Sequence, residues 1–150
     1  MKTFIALGAL AALCQSAFGL TEGSYTIGSA SLESNQVLSE IGQSNSPLGF
    51  SPINGDPSQT WLFTLAGSNN QRDFLIQNNL GSYINCGDEE GSPCLAGTRE
   101  EVYTAELVGE NSYQLVAKSS GYFLRADGGY LQLAGWDQTP NEEFVLLSTQ

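Results

Sequence analysis

Gln59-Thr60-Trp61-Leu62-Phe63-Thr64-Leu65 reads as a β-strand, with Trp61, Phe63 and Leu65 on one face and Leu62 and Thr64 on the other. Weaker copies follow at a near-constant distance. Tyr103 lies 42 residues on, in Val102-Tyr103-Thr104-Ala105-Glu106-Leu107, and Phe144 a further 41, opening Phe144-Val145-Leu146-Leu147. A large aromatic that opens a strand three times at one period marks an internal repeat.

Ahead of each of these strands lies another with an aromatic and, two residues later, an aliphatic: Tyr25/Ile27, Phe74/Ile76 and Tyr113/Leu115. A second strand then carries Leu38, Ile84 or Leu124. Each repeat therefore reads as an opening strand, a hairpin and a closing strand. Alternation bounded by Gly, Ser, Asn, Asp and Pro places twelve strands at 24–28, 36–40, 48–51, 60–65, 73–77, 82–85, 94–96, 102–107, 112–117, 122–126, 130–134 and 143–147. Three four-strand repeats predict an all-β fold, a β-trefoil, whose six outer strands close a barrel and whose three hairpins cap one end. The competing arrangement is a β-sandwich in which the spacing is accidental.

Residues 1–19 read as a secretory signal peptide: Lys2, an apolar run from Phe4 to Leu13, and Ala17-Phe18-Gly19 as a small-x-small cleavage site. The apolar run is too short to span a bilayer. Residues 20–150 then form one domain, with repeats at about 23–72, 73–111 and 112–150. Beyond the leader, Arg72, Arg99, Lys118 and Arg125 stand against sixteen acidic residues, a net charge of −12. Such a surface repels phosphate, which makes nucleic acid and anionic membranes poor candidates as partners. The chain has no His, which removes Ser-His and Cys-His nucleophiles and most zinc sites. We expect no cofactor, no metal and a secreted, extracellular protein.

Cys86 and Cys94 are the two cysteines after the leader, and in an exported chain such a pair reads as a disulfide. Its nine-residue loop would contribute about 2–3 kcal/mol in the chain-entropy picture. Asp88-Glu89-Glu90, Glu100-Glu101 and Glu142-Glu143 are paired carboxylates, the raw material of glycoside hydrolysis or a calcium site. They lie in Gly-, Ser- and Pro-rich turns, where solvation is the ordinary outcome, so we expect no enzyme.

Trp61, Tyr103 and Phe144 repeat and read as core. Trp136 stands apart in Gly135-Trp136-Asp137-Gln138-Thr139-Pro140-Asn141, with amides and a carboxylate around it. A flat apolar face beside hydroxyl-binding groups suits a sugar; folding back over the barrel mouth as a lid is the other reading. The binding reading takes Trp136 as the stacking face, Asn141 and Asp137 as hydrogen-bonding groups, and Asp127 and Tyr130 at the third hairpin tip as flanking groups.

The full triplet Gln59-Thr60-Trp61 and the segment from Ser46 to Phe63, with Ser51-Pro52-Ile53-Asn54-Gly55-Asp56 ahead of the triplet, resemble the ricin-B-like β-trefoil lectins, whose repeats carry Gln-x-Trp. Within that family the chain is most similar to the small single-domain lectins of mushrooms. The later triplets are degenerate: Glu101-Val102-Tyr103 and Glu142-Glu143-Phe144. The resemblance implies a carbohydrate-binding protein that recognises a glycan without catalysis. The Asp that galactose-binding members place on a repeat's second strand is replaced by Ser39, Asn85 and Arg125. Their Asn before the triplet is matched by Asn141 alone, against Ser58 and Glu100, which points to the third repeat. The same fold hosts protease inhibitors, and the segment 44–58, stiffened by Pro47, Pro52 and Pro57, is what an inhibitor would present to a protease.

Overall fold

The computed structural model describes residues 19–42, 45–67 and 71–149. The leader sequence, Gly19 apart, and the first residue of the segment 44–58 lie outside them. Twelve strands follow in order: β1 (Gly23–Ser29), β2 (Gln36–Glu40), β3 (Leu48–Pro52), β4 (Trp61–Leu65), β5 (Asp73–Asn78), β6 (Tyr83–Asn85), β7 (Leu95–Gly97), β8 (Val102–Gly109), β9 (Ser112–Ala117), β10 (Phe123–Asp127), β11 (Tyr130–Ala134) and β12 (Phe144–Ser148). All lie where the alternation places them, with ends that differ by at most two residues. The largest difference is β8, which runs on through a register shift between Leu107 and Gly109 to a turn where Asn111 takes φ 57°.

Strand pairing settles the architecture. β1 pairs with β4, β4 with β5, β5 with β8, β8 with β9, β9 with β12, and β12 back with β1. This closed antiparallel ring of six has no free edge. β2–β3, β6–β7 and β10–β11 are hairpins tied to one another, for example by Leu48 N–H to the Cys94 carbonyl and Cys94 N–H to the Leu131 carbonyl, both 2.9 Å. The accidental-spacing sandwich is thereby excluded, because its two sheets would leave open edges.

The core repeats with the strands. Trp61, Tyr103 and Phe144 are at most 1% exposed, as are Leu38, Ile84 and Leu124. Two of the three large aromatics tie to the repeat's second strand in the same way: Trp61 Nε1 donates to the Leu38 carbonyl (3.0 Å) and the Tyr103 hydroxyl to the Ile84 carbonyl (2.9 Å). A buried polar tip thus finds an acceptor without opening the core. Burial pushes the Tyr103 phenol far up, and the Glu101 carboxylate beside it adds to the effect. Phe63 meets Tyr25 of its own repeat and Phe74 of the next edge to face, at 5.4 and 5.7 Å.

The Cys86–Cys94 disulfide is present and ties the arms of the second hairpin. Cys94 occupies the place that Leu48 and Leu131 hold in the other repeats, and all three are 0–1% exposed. The bond therefore replaces part of the apolar packing rather than adding to it.

Candidate functional site

The connection from β11 to β12 is not the irregular loop that its polar sequence suggests. It is a copy, 83 residues on, of the connection from β3 to β4. Each ends in a 3-10 turn that starts with proline, Pro57–Gln59 and Pro140–Glu142. Each holds one residue in the left-handed region, Gly55 (φ 79°) and Gln138 (φ 60°). In each, an Asn or Asp side chain accepts the N–H two residues on: Asn54 from Asp56 (2.9 Å) and Asp137 from Thr139 (3.0 Å). The matching also pairs Ile53 with Trp136, and these are 52% and 59% exposed. Trp136 is therefore presented outward on a hydrogen-bonded loop and does not fold over the barrel.

Asp137 has its carboxylate fully engaged. Oδ2 pairs with Arg125 Nη2 at 3.0 Å, and Oδ1 accepts from the Thr139 N–H and hydroxyl at 3.0 and 2.7 Å. The Thr139 hydroxyl, against a smaller opposing effect of burial and with help from Arg125, holds the carboxyl below the usual range. Asp137 thus shapes the loop and can offer a ligand only the remaining lone pairs of its oxygens. Asn141 is half-buried inside the 3-10 turn, at the place of the buried Ser58.

Asp127 and Tyr130 lie elsewhere. They face each other at the tip of the β10–β11 hairpin, while Phe123 and Ala134 mark its other end, the end from which the chain runs into Trp136. Four residues of strand put about 13 Å between Tyr130 and Ala134. The two tip residues therefore stand at the opposite end of the hairpin from the point where the chain leaves for Trp136. What comes close to the start of the Trp136 connection is Glu90, from the loop of the second repeat, whose Oε2 accepts the Gly135 N–H at 3.3 Å. No alternation or triplet marks Glu90; only the packing of the second hairpin loop against β11, seen in Gly91 N–H to the Leu133 carbonyl (2.8 Å), brings it there.

The expectation that Glu142 is a solvated turn residue is overturned: it is 0% exposed. It stands where Gln59 stands in the first repeat, and its Oε1 accepts the Asp137 N–H at 3.1 Å as Gln59 Oε1 accepts the Asn54 N–H at 2.9 Å. The signal was present in the sequence, since the triplet alignment sets Glu142 on Gln59. The other acidic pairs are occupied in different ways. Glu101 accepts the Cys86 N–H (3.0 Å) and pairs with Arg99 (2.9 Å), while Asp88 accepts the Ser119 hydroxyl (2.6 Å).

A cleft of about 490 Å³ opens in the second repeat, lined by Asn45, Asn85, Pro93, Leu95 and Arg99 among others. Asn85 is spent on its own loop: its amide donates to the Arg99 carbonyl (2.7 Å) and accepts the Arg99 N–H (3.1 Å). This requires glycine at 97, where a Cβ would collide with the Asn85 side chain. The cleft has no aromatic wall.

Comparison with solved structures agrees with the strand pairing. The Rhizoctonia solani agglutinin matches 87% of this chain and 97% of its own, at 15% identity and a TM-score of 0.74. It is a β-trefoil. SeviL bound to asialo-GM1 saccharide matches 87% of this trefoil and 100% of its own chain, at 18% identity and a TM-score of 0.63. The Polyporus squamosus lectin, bound to the epitope Neu5Aca2-6Galb1-4GlcNAc, matches 86% of the trefoil and 50% of its own chain, at 16% identity and a TM-score of 0.71. No family model matches the sequence, and no curated protein is similar enough to match it.

Proposed function

We propose that this trefoil is a secreted lectin that binds a neutral glycan without chemistry, through the connection that carries Trp136. The observation that carries the reading is a tryptophan 59% exposed on a loop fixed by backbone and Asx hydrogen bonds. An exposed indole on a mobile loop would lose conformational freedom on binding; one on a fixed loop offers a preformed face for sugar C–H groups. Asn141 and Asp137 on the same connection, and Glu90, which reaches the Gly135 N–H from the second hairpin loop, supply the polar groups of the reading. The three solved trefoils named above are an agglutinin and two proteins bound to saccharides, which supports the class.

Neutral rather than acidic glycans follow from the charge. Arg72, Arg99, Lys118 and Arg125 are each paired with a carboxylate, at 2.8, 2.9, 2.6 and 3.0 Å, on a chain whose net charge is strongly negative. An acidic sugar would have to displace an internal partner against the field of the whole molecule. Shallow sugar sites bind modestly, so the affinity should be about 0.1–1 mM, or about 4–5 kcal/mol.

The test is a glycan array run beside a panel of serine and cysteine proteases. Binding to neutral structures, and none to sialylated or sulfated ones, is the expected result. Inhibition of a protease with an empty array would replace this reading by the inhibitor one, with the segment 44–58 as the reactive segment.

A further inference from the structure

Gln59 and Glu142 occupy one position of the repeat with different chemistry. The Gln59 amide nitrogen donates to the Ser39 hydroxyl (3.1 Å), the Ser51 hydroxyl (3.3 Å) and the Pro52 carbonyl (2.9 Å). At Glu142 the matching atom is Oε2, which is buried and has no hydrogen-bond partner among the described residues. By strand register Ser39, Ser51 and Pro52 correspond to Arg125, Ala134 and Gly135. Both hydroxyl acceptors are gone, and the Arg125 guanidinium is engaged by Asp137 Oδ2. A carboxylate here would hold charge on a buried oxygen that receives no donor, beside a place where the repeat presents a carbonyl. A carboxylic acid would carry its proton on that oxygen and donate as the Gln59 nitrogen does.

We propose that Glu142 is a neutral acid that latches the Trp136 connection, and that its ionisation loosens the connection and weakens glycan binding in the third repeat. The proposal rests on the glycan reading above and adds a pH dependence to it. The latch acts through Oε1, which holds the Asp137 N–H directly after Trp136. That N–H favours the charged form, but burying Oε2 without a donor opposes it more strongly, so ionisation draws the carboxylate towards water and takes Oε1 off the N–H. Glu142 is thus a positioning residue. The ionisable groups facing it are Asp137 from its own connection and Arg125 from β10; Asp127, further along β10, is held by the Gln132 amide (3.2 Å). β1, also packed against the turn, brings no carboxylate or cation.

Burial pushes the Glu142 carboxyl up; the Asp137 N–H pulls it down, the Asp137 charge pushes it further up, and Arg125 pulls it down, with a net rise. A raised folded value gives stability that is full below the unfolded glutamate value of 4.5 and is lost as pH rises through the folded value. The latch is therefore closed in acid and opens towards alkali.

The experiment follows the Glu142 carboxyl carbon, the Trp136 indole and exchange of the Asp137 amide by NMR from about pH 4 to about pH 9, in the wild type and in Glu142→Gln. In the wild type, Glu142 should titrate after the exposed glutamates. The Trp136 indole should shift in the same step, and Asp137 exchange should rise about tenfold beyond its ordinary base-catalysed increase, as expected for loss of one hydrogen bond. Glu142→Gln should show no step, and its glycan-array signal should be equal below and above the pH of the observed wild-type Glu142 step, across which the wild type weakens. Glu142 titrating with the exposed glutamates overturns the proposal, and that result needs no variant. An indole step that persists in Glu142→Gln also overturns it. Because the NMR arm uses no sugar, an empty array would remove the glycan reading and leave the latch judged on its own.

Discussion

Trp61 is fully buried and Trp136 is 59% exposed, and the triplet Gln59-Thr60-Trp61 distinguishes them: one is framed by alternation, the other follows a strand end. Trp61→Ala should cost about 3–5 kcal/mol by leaving a cavity and orphaning the Leu38 carbonyl. Trp136→Ala should leave the thermal midpoint within about 2 °C, because little of its surface is lost from the core. Asp73 makes a second prediction at this scale. Burial works to raise its carboxyl, yet Lys118 and Thr104, both at 2.6 Å, and the charge of Arg72 outweigh it and hold it below 3.8. A lowered folded value gives stability that is full above the unfolded value and is lost as pH falls through the folded one. Urea unfolding across an acid series should therefore show Asp73→Asn and the wild type furthest apart near neutral pH and converging in acid. A constant gap would contradict the ion pair.

The elements carry the repeat, and their equivalence is measurable. Tyr103→Ala and Phe144→Ala should each destabilise by about 3–5 kcal/mol, as Trp61→Ala does, since all three open a closing strand of the ring. Sensitivity at Trp61 alone would contradict the threefold organisation. The second hairpin should lose about 2–3 kcal/mol on reduction of Cys86–Cys94, and intact mass with and without reductant should show the bond. Strand positions were legible because each strand alternates against one continuous core: Tyr25/Ile27, Phe74/Ile76 and Tyr113/Leu115 announce themselves by period alone. The site was less legible. The Trp136 connection repeats the Ile53 connection through backbone geometry, Gly55 matched by Gln138 and Pro57 by Pro140, while the side chains that face solvent differ. Burial of Glu142 was hidden because a charged letter in a turn ordinarily means water.

For the whole molecule, closure of six strands into one ring makes the scaffold stiff, and the three hairpins at one end leave function to the connections between them. The net charge is strongly negative and the four cations beyond the leader are each paired with a carboxylate, the basis of the proposed preference for neutral glycans. The internal symmetry also supplies its own control, since Ile53 sits where Trp136 does on a loop of the same shape. The most direct measurement is calorimetric titration of one array-identified neutral glycan into the wild type, Trp136→Ala and Ile53→Ala, each checked by thermal unfolding. Trp136→Ala should weaken binding about tenfold or more with its midpoint retained, and Ile53→Ala should bind as the wild type does. Unchanged affinity in Trp136→Ala, or an equal loss in both variants, would contradict a glycan site on the third connection.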